Sequence, residues 1–176
     1  MIRGSKVHLR MITLDDVDEL IVRCNEIAET GEYLSPRLRS IAEIRKKVEE
    51  NNWWGEDEGG LLITTTDDRM LGTIGFFRAA PYQAGYEIGF GILRGADRGQ
   101  GYMTEALSLF TRFLFDQKPI PALHLTIAAG NTPSRRVAEK CGFKHTGVLR
   151  QYVFVRGEHI DLDVFSLLRE ELRNGD

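Results

Sequence analysis

The sequence predicts a mixed α/β (α+β) domain in which helices flank one central sheet. Three observations support this class: two amphipathic helical patterns occupy the first third of the chain, three consecutive strand patterns follow, and the chain closes on a hairpin. A long helix, a strand and a short helix connect the third strand of that run to the hairpin. The predicted order is therefore β, α, α, β, β, β, α, β, α, β, β.

The first third of the chain contains a short strand at Val7–Met11 and two helices joined by a loop at 30–39. Thr13 with Asp16 resembles a capping box, in which the threonine hydroxyl accepts a hydrogen bond from an early helical N–H. Ser40 provides the second start signal. Apolar residues at spacings of three and four give each helix one buried face: Leu14, Val17, Leu20, Ile21 and Cys24 in the first, and Ile41, Ile44 and Val48 in the second.

Three strands account for the middle of the chain. Residues 61–66 are rich in β-branched side chains and lead into a turn at 67–69. The extended pattern resumes over 70–78 and, after a break at 81–85, over 86–93. Because short turns join these strands, we expect three antiparallel neighbours.

The last part of the chain alternates helices and strands. A stripe of apolar residues at helical spacing predicts the longest helix. Pro133 suits the first turn of the next helix, and Gly142 suits the left-handed position that ends it. The predicted elements are a helix at 99–116, a strand at 123–129, a short helix from Thr132 to Gly142, and a hairpin of 148–155 with 160–168.

Composition bounds the class of protein. The chain has 176 residues, of which 42% are hydrophobic and 28% charged, so we expect one folded domain spanning 1–176. No apolar run approaches the roughly 18 residues of a membrane span, which predicts a cytoplasmic protein with no membrane partner. The net charge of -3 provides no basic field for nucleic acid. Cys24 and Cys141 fit neither a disulfide framework nor a metal-ligand spacing, and we expect no metal.

One stretch carries a chemical signal. A strand ending near residue 92 runs into Arg98-Gly-Gln-Gly101 at the start of the longest helix. Backbone N–H groups at such a helix start can bind phosphate or diphosphate without obstruction from side chains. The spacing is neither the phosphate loop of nucleotide hydrolases nor the dinucleotide fingerprint. Glycines that only make a tight turn are the alternative interpretation.

Three blocks of sequence resemble the GNAT N-acetyltransferases. The first is Arg98-x-x-Gly101, although Met103 stands where that family usually has Gly or Ala. The second and third resemble the branch of the family that contains ribosomal-protein-alanine N-acetyltransferases, the RimJ/RimL type. They comprise Asn131 and Ser134, Glu139-Lys-Cys-Gly-Phe143, Gly147-Val-Leu-Arg150, and Asp161 with Leu167-Leu-Arg-Glu-Glu171.

The resemblance implies an acetyl-CoA site in a V-shaped splay between the fourth and fifth predicted strands, at 87–93 and 123–129, of a mostly antiparallel sheet. A backbone N–H of Ile92 or Leu93 would meet the thioester carbonyl, and the amides from Arg98 to Thr104 would hold the diphosphate. Exposed strand edges can pair with the pantetheine amides. The cofactor-binding candidates are Ile92, Leu93, Arg94, Arg98, Gly99, Gln100, Gly101, Tyr102, Met103, Thr104, Asn131 and Ser134.

The resemblance also suggests catalytic residues. Many relatives carry a tyrosine seven residues after the asparagine, where this chain has Ala138, so Ser134 is the candidate for steadying the departing thiolate. Ordinary helix capping by Asn131 and Ser134 is the alternative. Glu87 is the candidate base, through water; a solvated strand carboxylate, with the proton leaving through solvent, is the alternative.

The acceptor implied by the family is a primary amine, either a protein N-terminus or a small molecule. Tyr33, Tyr152 and Asp161 are the candidate wall residues of its site, although such residues are more often packing or solvated positions. Two other functions stay open: transfer of another acyl group such as succinyl from its CoA thioester, and a CoA-sensing module without turnover. A homodimer is also left open.

Overall fold

One eight-stranded sheet organises residues 1–174, which the computed structural model describes. The strands lie in the order β1-β2-β3-β4-β5-β6-β8-β7, and every pair is antiparallel except β5 with β6. Their bounds are β1 Ile2–Arg3, β2 Val7–Met11, β3 Glu58–Thr65, β4 Met70–Phe77, β5 Tyr86–Ile92, β6 Ala122–Ala128, β7 Lys144–Val155 and β8 Glu158–Leu168. The predicted mixed, mostly antiparallel sheet is confirmed.

Helices cover both faces of the sheet. They are α1 Leu14–Cys24, α2 Ile41–Asn51, α3 Tyr102–Gln117, α4 Thr132–Lys140 and α5 Arg169–Asn174, and short 3-10 turns occupy Ile27–Glu29 and Gly95–Asp97. Side chains alternate between faces along β3: Leu62 packs with α1 and α2, whereas Leu61 and Ile63 pack with α3. None of these helices is long and apolar enough to cross a membrane.

The stripe on α3 fixes that helix against the sheet. Ala106, Leu107, Phe110 and Leu114 are 0% exposed. Burying a large apolar side chain contributes about 2 kcal/mol, so moving α3 away from the sheet would be costly. The position of its first turn is therefore set by the core.

The sheet opens between β5 and β6. Parallel pairing is limited to Tyr86 with Leu123 and Glu87 with His124. Beyond Glu87 the two strands separate, whereas β5 remains paired with β4 as far as Ile92. This is the V-shaped splay predicted between the fourth and fifth predicted strands.

The element predictions differ from the structure at several ends. The longest helix begins at Tyr102 instead of residue 99, because Gly99 and Gly101 have φ of 76° and 84°, outside the helical region. The predicted capping box of Thr13 and Asp16 is confirmed at the start of α1, where the N–H and the hydroxyl of Thr13 each donate to Asp16 Oδ2 at 2.8 Å. The two-residue β1 and the six-residue α5 were not predicted, since neither is long enough to show a period.

Candidate active site

The start of α3 presents backbone donors. The first helical hydrogen bond runs from the N–H of Glu105 to the carbonyl of Gly101 at 3.2 Å, so the amides before it have no acceptor within the helix. A Cβ at Gly99 would meet nothing within 4 Å, which leaves space on that side of the loop. Met103 is 8% exposed and packs in the core, as its place on the apolar stripe predicts. These features suit an anion such as a diphosphate.

An ion pair between a buried aspartate and a half-exposed arginine holds the loop before α3. Asp97 is 8% exposed and is the one buried charged residue among residues 1–172, whose side chains the structure describes. Arg69, in the β3–β4 turn, donates to both of its carboxylate oxygens, at 3.0 and 3.1 Å. Sequence reasoning missed both residues because a single acid and a single base 28 positions apart form no local pattern.

A lysine from the other side of the loop was also missed. Lys6 Nζ donates to the carbonyl of Gln100 at 3.3 Å. Glu105 holds the segment that carries this lysine, since its carboxylate accepts from the N–H groups of Ser5, Lys6 and Val7 at 2.7, 2.7 and 3.0 Å. The loop thus has an ammonium beside it as well as the amides of α3.

Arg98 links the two sides of the site. Its Nη2 donates to the carbonyl of Glu29 at 2.5 Å and, more weakly, to that of Ile92 at 3.4 Å. Glu29 in turn accepts from the N–H of Gly95 through Oε2. The guanidinium of Arg98 therefore ties the loop before α3 to the loop after α1. Arg94, another cofactor-binding candidate, is exposed.

At the end of β5, one backbone N–H points into the splay. Leu93 donates its N–H to the carbonyl of Leu71 at 3.0 Å, so this amide is already used by β4. Because successive residues of a strand alternate their hydrogen-bonding direction, the N–H of Ile92 points into the splay. Of Ile92 and Leu93, Ile92 is therefore the one whose N–H faces the splay.

Glu87 lies at the point where β5 and β6 separate. Thr126 Oγ1 donates to Glu87 Oε1, so the carboxylate sits on the same face of the sheet as Thr126. Burial raises the pKa of the Glu87 carboxyl above its usual value, and the hydrogen bond from Thr126 partly offsets this rise. On the neighbouring strand, burial lowers the pKa of His124, whose Nδ1 lies 2.9 Å from Ser166 Oγ.

That face forms the floor of a cleft of about 660 Å³. Gly75, Gly89 and Gly91 line it, and a Cβ placed on Gly91 would meet nothing within 4 Å. Tyr33 is one wall: its ring carbon Cε1 and its hydroxyl would lie 3.4 and 3.5 Å from a Cβ placed on Gly130. The floor therefore has room for a substrate directly beside the splay.

The two other candidate wall residues lie outside the residues that line the cleft. Tyr152 is 66% exposed on β7. Asp161 Oδ1 accepts from the N–H of Gln151 at 2.7 Å, a bond that supports the bulge between β7 and β8. The structure therefore brings Tyr33, but neither of these two, to the cleft.

Asn131 and Ser134 stand at the start of α4. Asn131 Oδ1 accepts from the N–H of Ser134 at 3.2 Å, so Asn131 is the N-cap of α4, which is the alternative interpretation given above. Its side-chain NH₂ and the Ser134 hydroxyl form no hydrogen bond with another residue of the described part of the chain. Ala138 is fully buried beneath them.

Known proteins share this architecture. The family model for the acetyltransferase (GNAT) domain matches residues 6–144. The probable N-acetyltransferase YjcK of Bacillus subtilis is 26% identical over 97% of this chain and 98% of its own length. YokL, a prophage-derived uncharacterized N-acetyltransferase of the same organism, is 32% identical over 59% of this chain, and the match spans 51% of YokL.

Solved structures agree in fold. RimL, a ribosomal L7/L12 α-N-protein acetyltransferase in complex with coenzyme A, has a TM-score of 0.82 at 21% identity, covering 95% of this chain and 97% of its own. Spermidine N-acetyltransferase of Vibrio cholerae, in complex with CoA and spermine, has a TM-score of 0.81 at 18% identity, covering 97% and 100%. The chain belongs to the GNAT family of N-acetyltransferases, enzymes that use acetyl-CoA.

Proposed function

We propose that this GNAT N-acetyltransferase transfers the acetyl group of acetyl-CoA to a primary α-amine, on a protein N-terminus or a small molecule, by direct attack in a ternary complex. The observation that carries the proposal is the splay after Glu87, which exposes unpaired backbone groups of β5 and β6 beside the first turn of α3. Complexes of RimL and of the spermidine enzyme with coenzyme A support the choice of thioester.

Residues on both sides of the splay would hold the thioester. The amides from Gly99 to Thr104 and the ammonium of Lys6 suit the diphosphate, since both supply positive charge at the same loop. The N–H of Ile92 suits the thioester carbonyl, and it would also stabilise the oxyanion that forms during attack. Cofactor affinity and oxyanion stabilisation therefore belong to different elements, α3 and β5.

Deprotonation of the amine favours an α-amine as acceptor. An α-amine with a pKa near 8 is about one tenth neutral at pH 7, a shortfall of ~1.4 kcal/mol, whereas an amine near 10.4 needs ~4.6 kcal/mol. Glu87, which accepts a hydrogen bond from the cleft-lining residue Thr126, would accept the proton through water. A carboxylate with a raised pKa suffices for deprotonating the α-amine, which needs the smaller of these two free energies.

The leaving group needs a hydrogen-bond donor. As the C–N bond forms and the C–S bond breaks, negative charge develops on the CoA sulfur. The Ser134 hydroxyl would donate to this thiolate, which then takes its proton from water. The absence of a phenol at Ala138 gives Ser134 this role within the family's geometry.

Thiol release tests the proposal. Wild-type protein is assayed with acetyl-CoA and a panel of amines that includes N-terminal peptides, amino acids and polyamines. We expect acetylation of at least one α-amine. Release with succinyl-CoA alone would replace the acetyl group by succinyl, and tight CoA binding without release for any amine across pH would favour a sensor; either result contradicts the proposed reaction.

The cofactor position has its own test. Gly101→Val places a side chain at φ 84°, beside the amides of α3, and we expect the Kd for acetyl-CoA to rise at least tenfold by calorimetry. Gly157→Val is the matched control, because Gly157 also has a positive φ, of 96°, a Cβ there meets nothing within 4 Å, and it lies in the turn between β7 and β8. Unchanged affinity in the Gly101 variant would place the diphosphate elsewhere.

A further inference from the structure

We propose that the acceptor carries a carboxylate in addition to its amine, and that Arg37 and Arg39 at the rim of the cleft bind this carboxylate. The inference rests on the proposed function and narrows its substrate to one chemical class. It is carried by three observations: the position of the loop between α1 and α2, the charges that this loop presents to the cleft, and the hydrogen bonds and ion pairs that the surrounding acidic residues already form.

The loop is fixed on both sides of Arg37. On one side, Ser35 Oγ donates to the carbonyl of Phe154 in β7. On the other side, the N–H of Arg39 donates to Asn25 Oδ1 at 2.7 Å, and Asn25 Nδ2 donates to the carbonyl of Arg39 at 3.0 Å. The loop therefore crosses the cleft from the β7–β8 hairpin to the end of α1, and Arg37 lies between its two attachments.

Both arginines line the cleft without an internal counter-ion. In the part of the chain that the structure describes, neither guanidinium lies within 4.0 Å of a carboxylate oxygen. The other two arginines that line the cleft already have partners: Arg23 forms an ion pair with Glu19 at 2.5 Å, and Arg98 donates to backbone carbonyls. A guanidinium fork matches a carboxylate through two parallel hydrogen bonds.

The acidic residues around the cleft argue against a polycation. Three glutamates line it. Glu29 accepts from the N–H of Gly95, and Glu58 pairs with Lys47 at 2.8 Å. Glu26 is the third, and the two carboxylates without a cationic partner, those of Glu26 and Glu29, are too few for several ammonium groups that would also meet Arg37 and Arg39.

An acceptor with one amine and one carboxylate satisfies both ends of the cleft. Its amine would lie at the splay beside Thr126, the cleft-lining partner of Glu87, and its carboxylate would reach the loop that carries the arginines. Amino acids and peptides with an acidic residue near a free N-terminus have this chemistry. Like-charge contact with the arginines disfavours polyamines.

The test compares acceptors that differ only in charge. Tetrapeptide amides with a free N-terminal alanine carry one aspartate at position 2, 3 or 4, and each has an isosteric partner with asparagine. Spermidine is assayed beside them. For wild-type protein at low salt, we expect kcat/KM for the aspartate peptide to exceed that for its asparagine partner at least tenfold at one position or more, and spermidine to be the poorer acceptor.

The variants assign that preference to the loop. In Arg37→Gln/Arg39→Gln the ratio of the two kcat/KM values is expected to fall to about one, and the ratio is internal to each protein preparation. Arg3→Gln, a matched change at an exposed residue of β1, is expected to keep the wild-type ratio. Equal rates for the isosteric peptides, a preference for spermidine, or a preference that survives in the double variant would overturn the inference.

A binding measurement separates this inference from the proposed function. Calorimetry with CoA present reports the affinity of the same peptides without turnover. If no amine is acetylated, the proposed function fails, and calorimetry still shows whether the aspartate peptide binds more tightly through Arg37 and Arg39. If both peptides are acetylated equally, the proposed function stands and the carboxylate site is wrong.

Discussion

Ser134 lies in the first turn of α4. Its backbone N–H donates to Asn131 Oδ1, and its hydroxyl forms no hydrogen bond with another described residue. Its proposed task exists only while the C–S bond breaks, so its removal should affect the chemical step and leave thioester binding intact. We expect Ser134→Ala to lower kcat at least tenfold with the KM for acetyl-CoA nearly unchanged, and Ser134→Thr, which keeps a hydroxyl, to retain more activity. Wild-type kcat in the alanine variant would remove Ser134 from the mechanism.

Glu87 should give the reaction a pH dependence of known sign. A base accepts a proton only when ionised, and burial raises the pKa of this carboxyl, so kcat is expected to fall as pH drops through that raised value. In Glu87→Gln we expect kcat to fall by up to about tenfold and to be flat over the same interval. The loss stays below the factor of about 100 that a positioned base contributes, because solvent can accept the proton in its place. Kinetics from pH 5 to 9 measure both proteins.

The stability of the Glu87 variant provides its control. Because the pKa of Glu87 is higher in the folded than in the unfolded chain, the folded protein loses stability as pH rises through the folded value. Glu87→Gln removes this loss, so Tm at pH 7 should stay the same or rise. A parallel fall of Tm and kcat would mean that the variant is misfolded, and an unchanged pH profile would exclude Glu87 as the base.

Among the elements, the loop before α3 depends on the Arg69–Asp97 pair. In Asp97→Asn the half-exposed Arg69 loses its anionic partner and with it a charge-assisted hydrogen bond. We expect this loss to lower the free energy of unfolding by about 2 kcal/mol and to raise the Kd for acetyl-CoA several-fold. Arg45→Gln, which removes a surface ion pair with Asp18, is the control. Denaturant titration and calorimetry separate the two effects; a loss of stability with unchanged Kd would make the pair structural only.

Local patterns were sufficient for most elements of this fold. Val7–Met11 matches β2 at both ends, and the strands at 70–78 and 86–93 match β4 and β5 to within one residue. Alternation and turn residues act over a few positions, which is why they can be read from a sequence. The start of α3 was placed three residues early, since the glycines that shape the loop also look like the first turn of a helix.

At the scale of the whole molecule, the site consists of contacts that no local pattern contains. The splay was expected from family resemblance, but the residues that fix its surroundings come from distant segments: Arg69 with Asp97, Arg98 with the carbonyl of Glu29, and Ser35 with the carbonyl of Phe154. Each joins a turn or loop to a distant segment through a polar side chain. Sequence spacing does not predict such pairs, because loop geometry decides which ends meet.

These contacts couple the two halves of the cleft. Glu29 belongs to the loop that covers the acceptor side, and it accepts from Gly95 in the segment that leads into α3. An anion that fixes the amides of α3 also fixes this segment, and through Glu29 and Arg98 it orders the acceptor loop. Acetyl-CoA and the amine should therefore each raise the affinity for the other.

Hydrogen exchange can measure this coupling. We expect saturating CoA to slow exchange of the amides at 26–35 in the wild-type protein, and to slow it much less in Glu29→Ala, whose KM for the amine should rise several-fold more than its KM for acetyl-CoA. Glu49→Ala, a change at an exposed residue of α2, serves as control and should behave as wild type. Equal protection of 26–35 by CoA in Glu29→Ala and wild type would show that the two loops respond independently.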